Sequence, residues 1–216
     1  MLAPLQVGRT PTEEARLRKD IVSTDQQVRQ AAADTLARQG IRGVPVLIDA
    51  LGDPALIQML AVEEEGTAEG WEVADALSRI GATAVPALVE SLKHPTVAVR
   101  AQAATALGNM RPPIAAALQP LALALRDTDS WVRLSVANAI GKYHAAAKPV
   151  VGALAAALED RDSHVRVWVA SALKDIGPSA ASALSALRRL LRDPNEDVRE
   201  AAQEAIKAIS ARKPRP

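Results

Sequence analysis

Three tryptophans, Trp71, Trp131 and Trp168, stand out in a chain of 216 residues that has no phenylalanine and one tyrosine. Each has a polar side chain at helical spacing on its C-terminal side: Asp75 after Trp71, Asn138 after Trp131 and Ser171 after Trp168. Indole rings beside carboxylate, amide and hydroxyl groups compose a binding groove, in which aromatic area supplies affinity and polar groups fix orientation. The same rings can instead pack flat between neighbouring helices. The three histidines stand in "KHPT", "YHAA" and "SHVR", with no clustered ligand spacing, and there is no cysteine. No serine, threonine or lysine has a nucleophile setting, and no glycine-rich phosphate loop occurs. The expectation is therefore no catalytic residue, no metal and no cofactor, with enzymatic activity left open.

Composition narrows what can position those rings. Hydrophobic residues are 49% of the chain but aromatics only 2%, so the apolar mass is Ala, Leu, Val and Ile, which suits closely spaced helices. A net charge of +1 gives no global pull toward nucleic acid or anionic lipid. No stretch reaches the roughly 18 apolar residues that span a bilayer, and the start does not read as a secretory signal. The chain is expected to be cytoplasmic, without a membrane partner.

Self-similarity then shows how the rings are carried. "VRQAAADTLARQG" begins at Val28, "VRAQAATALGNMR" at Val99, "VRLSVANAIGKYH" at Val132, "VRVWVASALKDIG" at Val165 and "VREAAQEAIKAIS" at Val198. The last four starts are 33 residues apart, and "EGWEVADALSRIG" from Glu69 is a weaker copy. Counting the first residue as zero, apolar residues recur at zero, four, eight and usually eleven, one face of an α-helix. A shorter apolar helix precedes each copy, as in "VPVLIDAL" and "PVVGALAAAL". One helix pair cannot bury its apolar face, whereas stacked pairs bury a continuous core. The spacing predicts an all-α, right-handed α-solenoid of about six helix pairs over 12–210, after an extended segment 1–11 and before a basic tail 211–216. An irregular insertion, about 54–68, interrupts the second pair and carries Glu63, Glu64, Glu65 and Glu69, a candidate lid or a solvated acidic loop.

Asp127 and Asp129, and likewise Asp160 and Asp162, lie five and three residues before their Val, with Asp25, Asp193 and Asn195 in equivalent places; they can cap the second helix, and can meet the arginine at position one. Arg100, Asp129, Arg133, Asp162, Arg166 and Arg199 are read as a structural ladder that fixes stacking register. The pattern in "DRDSHVRVWVASALKDIG" and "DTDSWVRLSVANAIGKYH" resembles the HEAT repeat in its phycobilisome-lyase-like form. The resemblance covers nearly the whole chain and speaks to fold far more than to function. It implies that the second helices line a concave, partner-binding face. Bilin lyases, scaffold subunits, an iron-dependent hydroxylase of the deoxyhypusine pathway and alkyl-base glycosylases share such repeats. The hydroxylase would need His-Glu dipeptides, and none exists here.

On the expected concave face lie Trp71, Asp75, Thr105, Trp131, Leu134, Asn138, Val167, Trp168 and Ser171, a candidate groove for a protein partner or peptide segment. A non-enzymatic scaffold is the favoured function. The alternatives are bilin-lyase-like chromophore handling and, less favoured, a DNA alkyl-base glycosylase using groove Trp and Asp. Asp34, Asp75 and Glu204 on that face would repel phosphate, which disfavours nucleic acid. Oligomeric state is open.

Overall fold

The computed structural model describes residues 11–61 and 71–211. Its helices are α1 (Pro11–Asp20), α2 (Gln26–Arg38), α3 (Val44–Leu51), α4 (Pro54–Ala61), α5 (Glu72–Ile80), α6 (Val85–Ser91) and α7 (Val97–Asn109). They continue as α8 (Leu118–Ala124), α9 (Ser130–Gly141), α10 (Val151–Ala157), α11 (Ser163–Ile176), α12 (Leu184–Leu190) and α13 (Glu196–Ser210). There is no strand among the described residues. The helices pair as first and second elements: α1 with α2, α3 with α5, α6 with α7, α8 with α9, α10 with α11 and α12 with α13. The α-solenoid expected from the repeat is the observed architecture.

Second helices stack on one another in the order α2, α5, α7, α9, α11, α13, and the tightest packing runs from α7 to α13. Small side chains make this possible. A Cβ added to Gly108 would lie 2.6 Å from the Ala139 Cα, and one on Gly141 would lie 3.0 Å from the Ala172 Cα. Position nine of one repeat thus meets position seven of the next, backbone against backbone. One apolar core runs from Leu17 to Ile209 through all six pairs. First helices are shorter and more loosely packed, and they leave open clefts between them.

Four of the second helices start at a side-chain cap, whereas Trp71 and Thr96 at the starts of α5 and α7 make no side-chain cap bond. Asp25, Asp129, Asp162 and Asn195 accept backbone amide bonds at the starts of α2, α9, α11 and α13. Twelve residues after position zero the chain turns through the left-handed region at Gly40, Gly81 and Gly177, where glycine has no steric penalty. His144 occupies the same place in the fourth repeat, with φ of 48°. The first part of the insertion forms α4, while Glu63, Glu64, Glu65 and Glu69 lie outside the described residues.

Candidate functional site

An arginine–aspartate ladder holds the stacked helices in register. Arg100 donates Nε and Nη2 to Asp127 at 2.7 and 2.9 Å, Arg133 to Asp160 at 2.6 and 2.8 Å, and Arg166 to Asp193 at 2.8 and 2.8 Å. The Nη1 of each donates to two carbonyls of its own turn: His94 and Pro95, Asp127 and Thr128, Asp160 and Arg161. Every guanidinium therefore staples its own turn to the next. The carboxylates in the staple are those five residues before Val. Asp129 and Asp162 are not rungs, contrary to expectation, because their carboxylates accept the Trp131 and His164 amides as helix caps. Arg199 donates Nη1 to the Asp193 and Pro194 carbonyls, and among the described residues no carboxylate completes a rung with it. At the other end Arg29 pairs with Glu72 at 3.2 Å, both buried.

Burial alone would raise the Asp127, Asp160 and Asp193 carboxyls. The paired guanidinium and the backbone amide two residues on outweigh it and hold each below the ordinary aspartate range. The rungs are thus charged pairs under a shell of hydrogen bonds, a structural device with no group left free to react.

The candidate groove residues divide into two sets. In the N-terminal half, polar side chains satisfy one another: Arg79 bonds Asp34 at 2.7 Å and Asp75 at 2.9 Å. The hydrogen bond from Arg79, and a second from Gln30, hold the Asp34 carboxyl down. Trp71 is half-buried at the N-cap of α5, and its carbonyl accepts from the Asp75 amide. Thr105 is buried, only 6% exposed, with its hydroxyl donating to the Ala101 carbonyl. Its expected exposure fails because α7 is enclosed by α5 and α9 and short side chains cannot reach past them.

The second set lies on α9 and α11, which pack side by side. Trp131, Leu134 and Val167 are partly buried against the core, leaving a half-exposed apolar strip. Trp168 is 39% exposed. The Asn138 amide and the Ser171 hydroxyl are half-buried, and neither has a hydrogen-bond partner among the described residues. Trp168 and Ser171 are three residues apart on α11, and Leu134 and Asn138 four apart on α9, so each pair shares a helix face. At the C-terminal edge Lys174 bonds Glu204 at 2.9 Å.

Gln102 escaped sequence reasoning. It is 1% exposed, and among the described residues neither its amide oxygen nor its nitrogen has a partner; Glu72 Oε2 and Arg29 Nε are buried and unpartnered there likewise. A polar residue on a helix of alanines was the available signal. Among the described residues no group of His, Cys, Asp and Glu is arranged to hold a metal ion, and no helix is long and apolar enough to cross a membrane.

The HEAT-repeat family matches residues 54–141 and 118–207, so the chain belongs to the HEAT-repeat family. No curated protein matches it. Among solved structures it is similar to an engineered protein, with 27% identity over 92% of this chain and 98% of that one, at a TM-score of 0.52. It is also similar to a designed armadillo repeat protein in complex with the peptide (KR)4, at 23% identity, 92% and 100% coverage and a TM-score of 0.54. A third is the complex of CpcE and CpcF of phycocyanin lyase from Nostoc sp. PCC7120, at 20% identity, 76% and 98% coverage and a TM-score of 0.61. The last two likenesses are of fold.

Proposed function

We propose that the chain is a non-enzymatic protein-interaction module that takes a segment of a protein partner along the second-helix face of α9 and α11. The supporting observation is the contrast between the two halves of that face. In the N-terminal half, charges neutralise one another and Thr105 is buried. On α9 and α11, which pack side by side, Trp168 is exposed with Ser171 three residues on along the same helix, and neither the Ser171 hydroxyl nor the Asn138 amide of α9 has a partner among the described residues. An aromatic anchor gives affinity from buried area, and free amide and hydroxyl groups can bond a peptide backbone. The peptide held by the designed armadillo protein gives the reading a precedent in a similar fold. Trp71 and Asp75 lie beyond this centre and contribute at its N-terminal end.

The test is a pull-down from source-cell lysate with mass spectrometry, using the wild-type chain and a Trp168→Ala/Asn138→Ala variant of unchanged circular dichroism. The reading requires a specific protein that wild type retains and the variant loses. Equal retention by both removes the α9–α11 face as the site. Visible absorbance on incubation with a bilin would instead favour the chromophore reading that accompanies the likeness to the phycocyanin lyase complex. Salt-dependent binding to duplex DNA would favour the glycosylase reading.

A further inference from the structure

We infer that the outer, first-helix face is a second interaction surface, and that the partner it fits is another copy of this chain, joined about a two-fold axis between α8 and α10. This inference is independent of the proposed function on α9 and α11. It starts from Leu123, which is 72% exposed on α8. Two clefts flank it, of about 440 Å³ between α6 and α8 and about 370 Å³ between α8 and α10, and Leu123 lines both. A largely exposed leucine between two hollows is a knob beside holes. The repeat itself does not require a leucine there. At steps of 33 residues the other first helices carry Glu90, Ala156 and Arg189 in its place, all exposed. The place tolerates either charge or a methyl group.

That row identifies the occupant. Across α6, α8, α10 and α12 it reads acid, large apolar, small apolar, base. A two-fold axis parallel to the helices and midway between α8 and α10 reverses the row onto itself. Leu123 then faces the partner's Ala156, whose methyl group forms part of the 370 Å³ cleft. Glu90 faces the partner's Arg189. One turn further along, the exposed Arg126 faces the partner's Glu159, and each such pair occurs twice by symmetry. One contact opposes the arrangement: Lys93 faces the partner's Arg192, at the outer edge where water screens like charges. Glu90 and Glu159 now pair with Lys93 at 3.1 Å and Arg189 at 2.8 Å; both bonds are exposed and easily exchanged. An isologous interface needs this self-complementarity of knob with hollow and base with acid. Contact centred on two short helices places the dimer at the small end of specific interfaces, so it forms with rising concentration.

Sedimentation velocity of the full chain, from low-micromolar to sub-millimolar concentration, tests the inference. Wild type should rise from a weight-average mass of 22.7 kDa toward twice that value. Leu123→Glu, at an exposed position and with circular dichroism unchanged, should stay monomeric throughout. Arg126→Glu and Glu159→Arg should each weaken association by about tenfold, and the double reversal should restore it. A wild type that remains monomeric over the whole range overturns the inference. So does a Leu123→Glu chain that associates like wild type, or a double reversal no stronger than either single change.

Discussion

Gly108 and His144 show how one backbone position constrains a single side chain. At Gly108 a methyl group would press on the Ala139 backbone at 2.6 Å, and neither helix can yield without parting from its neighbour. Gly108→Ala should therefore destabilise by about 1–3 kcal/mol despite alanine's better helix propensity. His144 is the opposite case. It holds a left-handed turn that glycine occupies in three other repeats, and the exposed 3.2 Å contact from its Nδ1 to the Asp175 carbonyl is small compensation. His144→Gly should stabilise by about 0.5–1 kcal/mol. Thermal melts of both variants measure these changes, and a stabilised Gly108→Ala would contradict the close-packed account. Glycine within "ATALGNM" could be read as a sign of close approach. The burial of Thr105 could not, because it depends on how far the flanking helices close over α7. Leu123 was hidden for another reason: inside "LALALRD" nothing in the residue types says which leucine faces out.

The two-layer helix pair is set by elements whose ends are fastened, and the arginine staples do the fastening. Arg133 and Asp160 are 6% and 8% exposed, so removing one partner leaves a buried charge. Asp160→Ala should cost about 3–5 kcal/mol at neutral pH, measured by urea unfolding. The rungs also give the fold an acid limit. A carboxyl whose pKa is lower in the folded state binds fewer protons there, so low pH favours the unfolded chain. The stabilisation is complete above about pH 5, declines as pH falls through the unfolded value near 3.9, and is gone below the depressed folded value. In Asp160→Ala the loss of stability over that window should be shallower than in wild type. An unchanged slope would show that the rungs do not govern acid unfolding. The recurrence of Asp and Arg announced a ladder, but two aspartates per turn compete for the roles of cap and rung. Only the backbone path between α8 and α9 puts Asp127 within reach of Arg100 and turns Asp129 toward the Trp131 amide.

Across the whole molecule, the six helix pairs do not carry equal bonds between neighbours. Ladder rungs join the last four pairs. Between the second and third pairs the register of the repeat places Gly70 where arginine belongs and His94 where aspartate belongs, and α5 is only nine residues long. His94 keeps the turn by accepting the Thr96 amide at 3.1 Å, and its carbonyl accepts from Arg100 of its own repeat, but among the described residues no guanidinium of the second pair bonds its side chain. Because stability in a solenoid is close to a sum of nearest-neighbour terms, α1–α5 should open before α7–α13. Hydrogen exchange should show lower protection in α2 and α5 than in α9 and α11, and uniform protection would count against a weak joint. The 33-residue period made the solenoid legible over nearly its full length, since each repeat restates the same apolar face. The candidate binding face was legible only as a row of residue types. Which members are free to bind depends on the Asp34–Arg79–Asp75 bonds and on the enclosure of α7, neither of which a helical register contains. The most direct measurement is a calorimetric titration of the captured partner into wild type, Trp168→Ala and Leu123→Glu chains. Binding on the α9–α11 face predicts that Trp168→Ala weakens affinity by about tenfold or more while Leu123→Glu leaves it unchanged. Unaltered affinity in Trp168→Ala, or loss in Leu123→Glu, would contradict it.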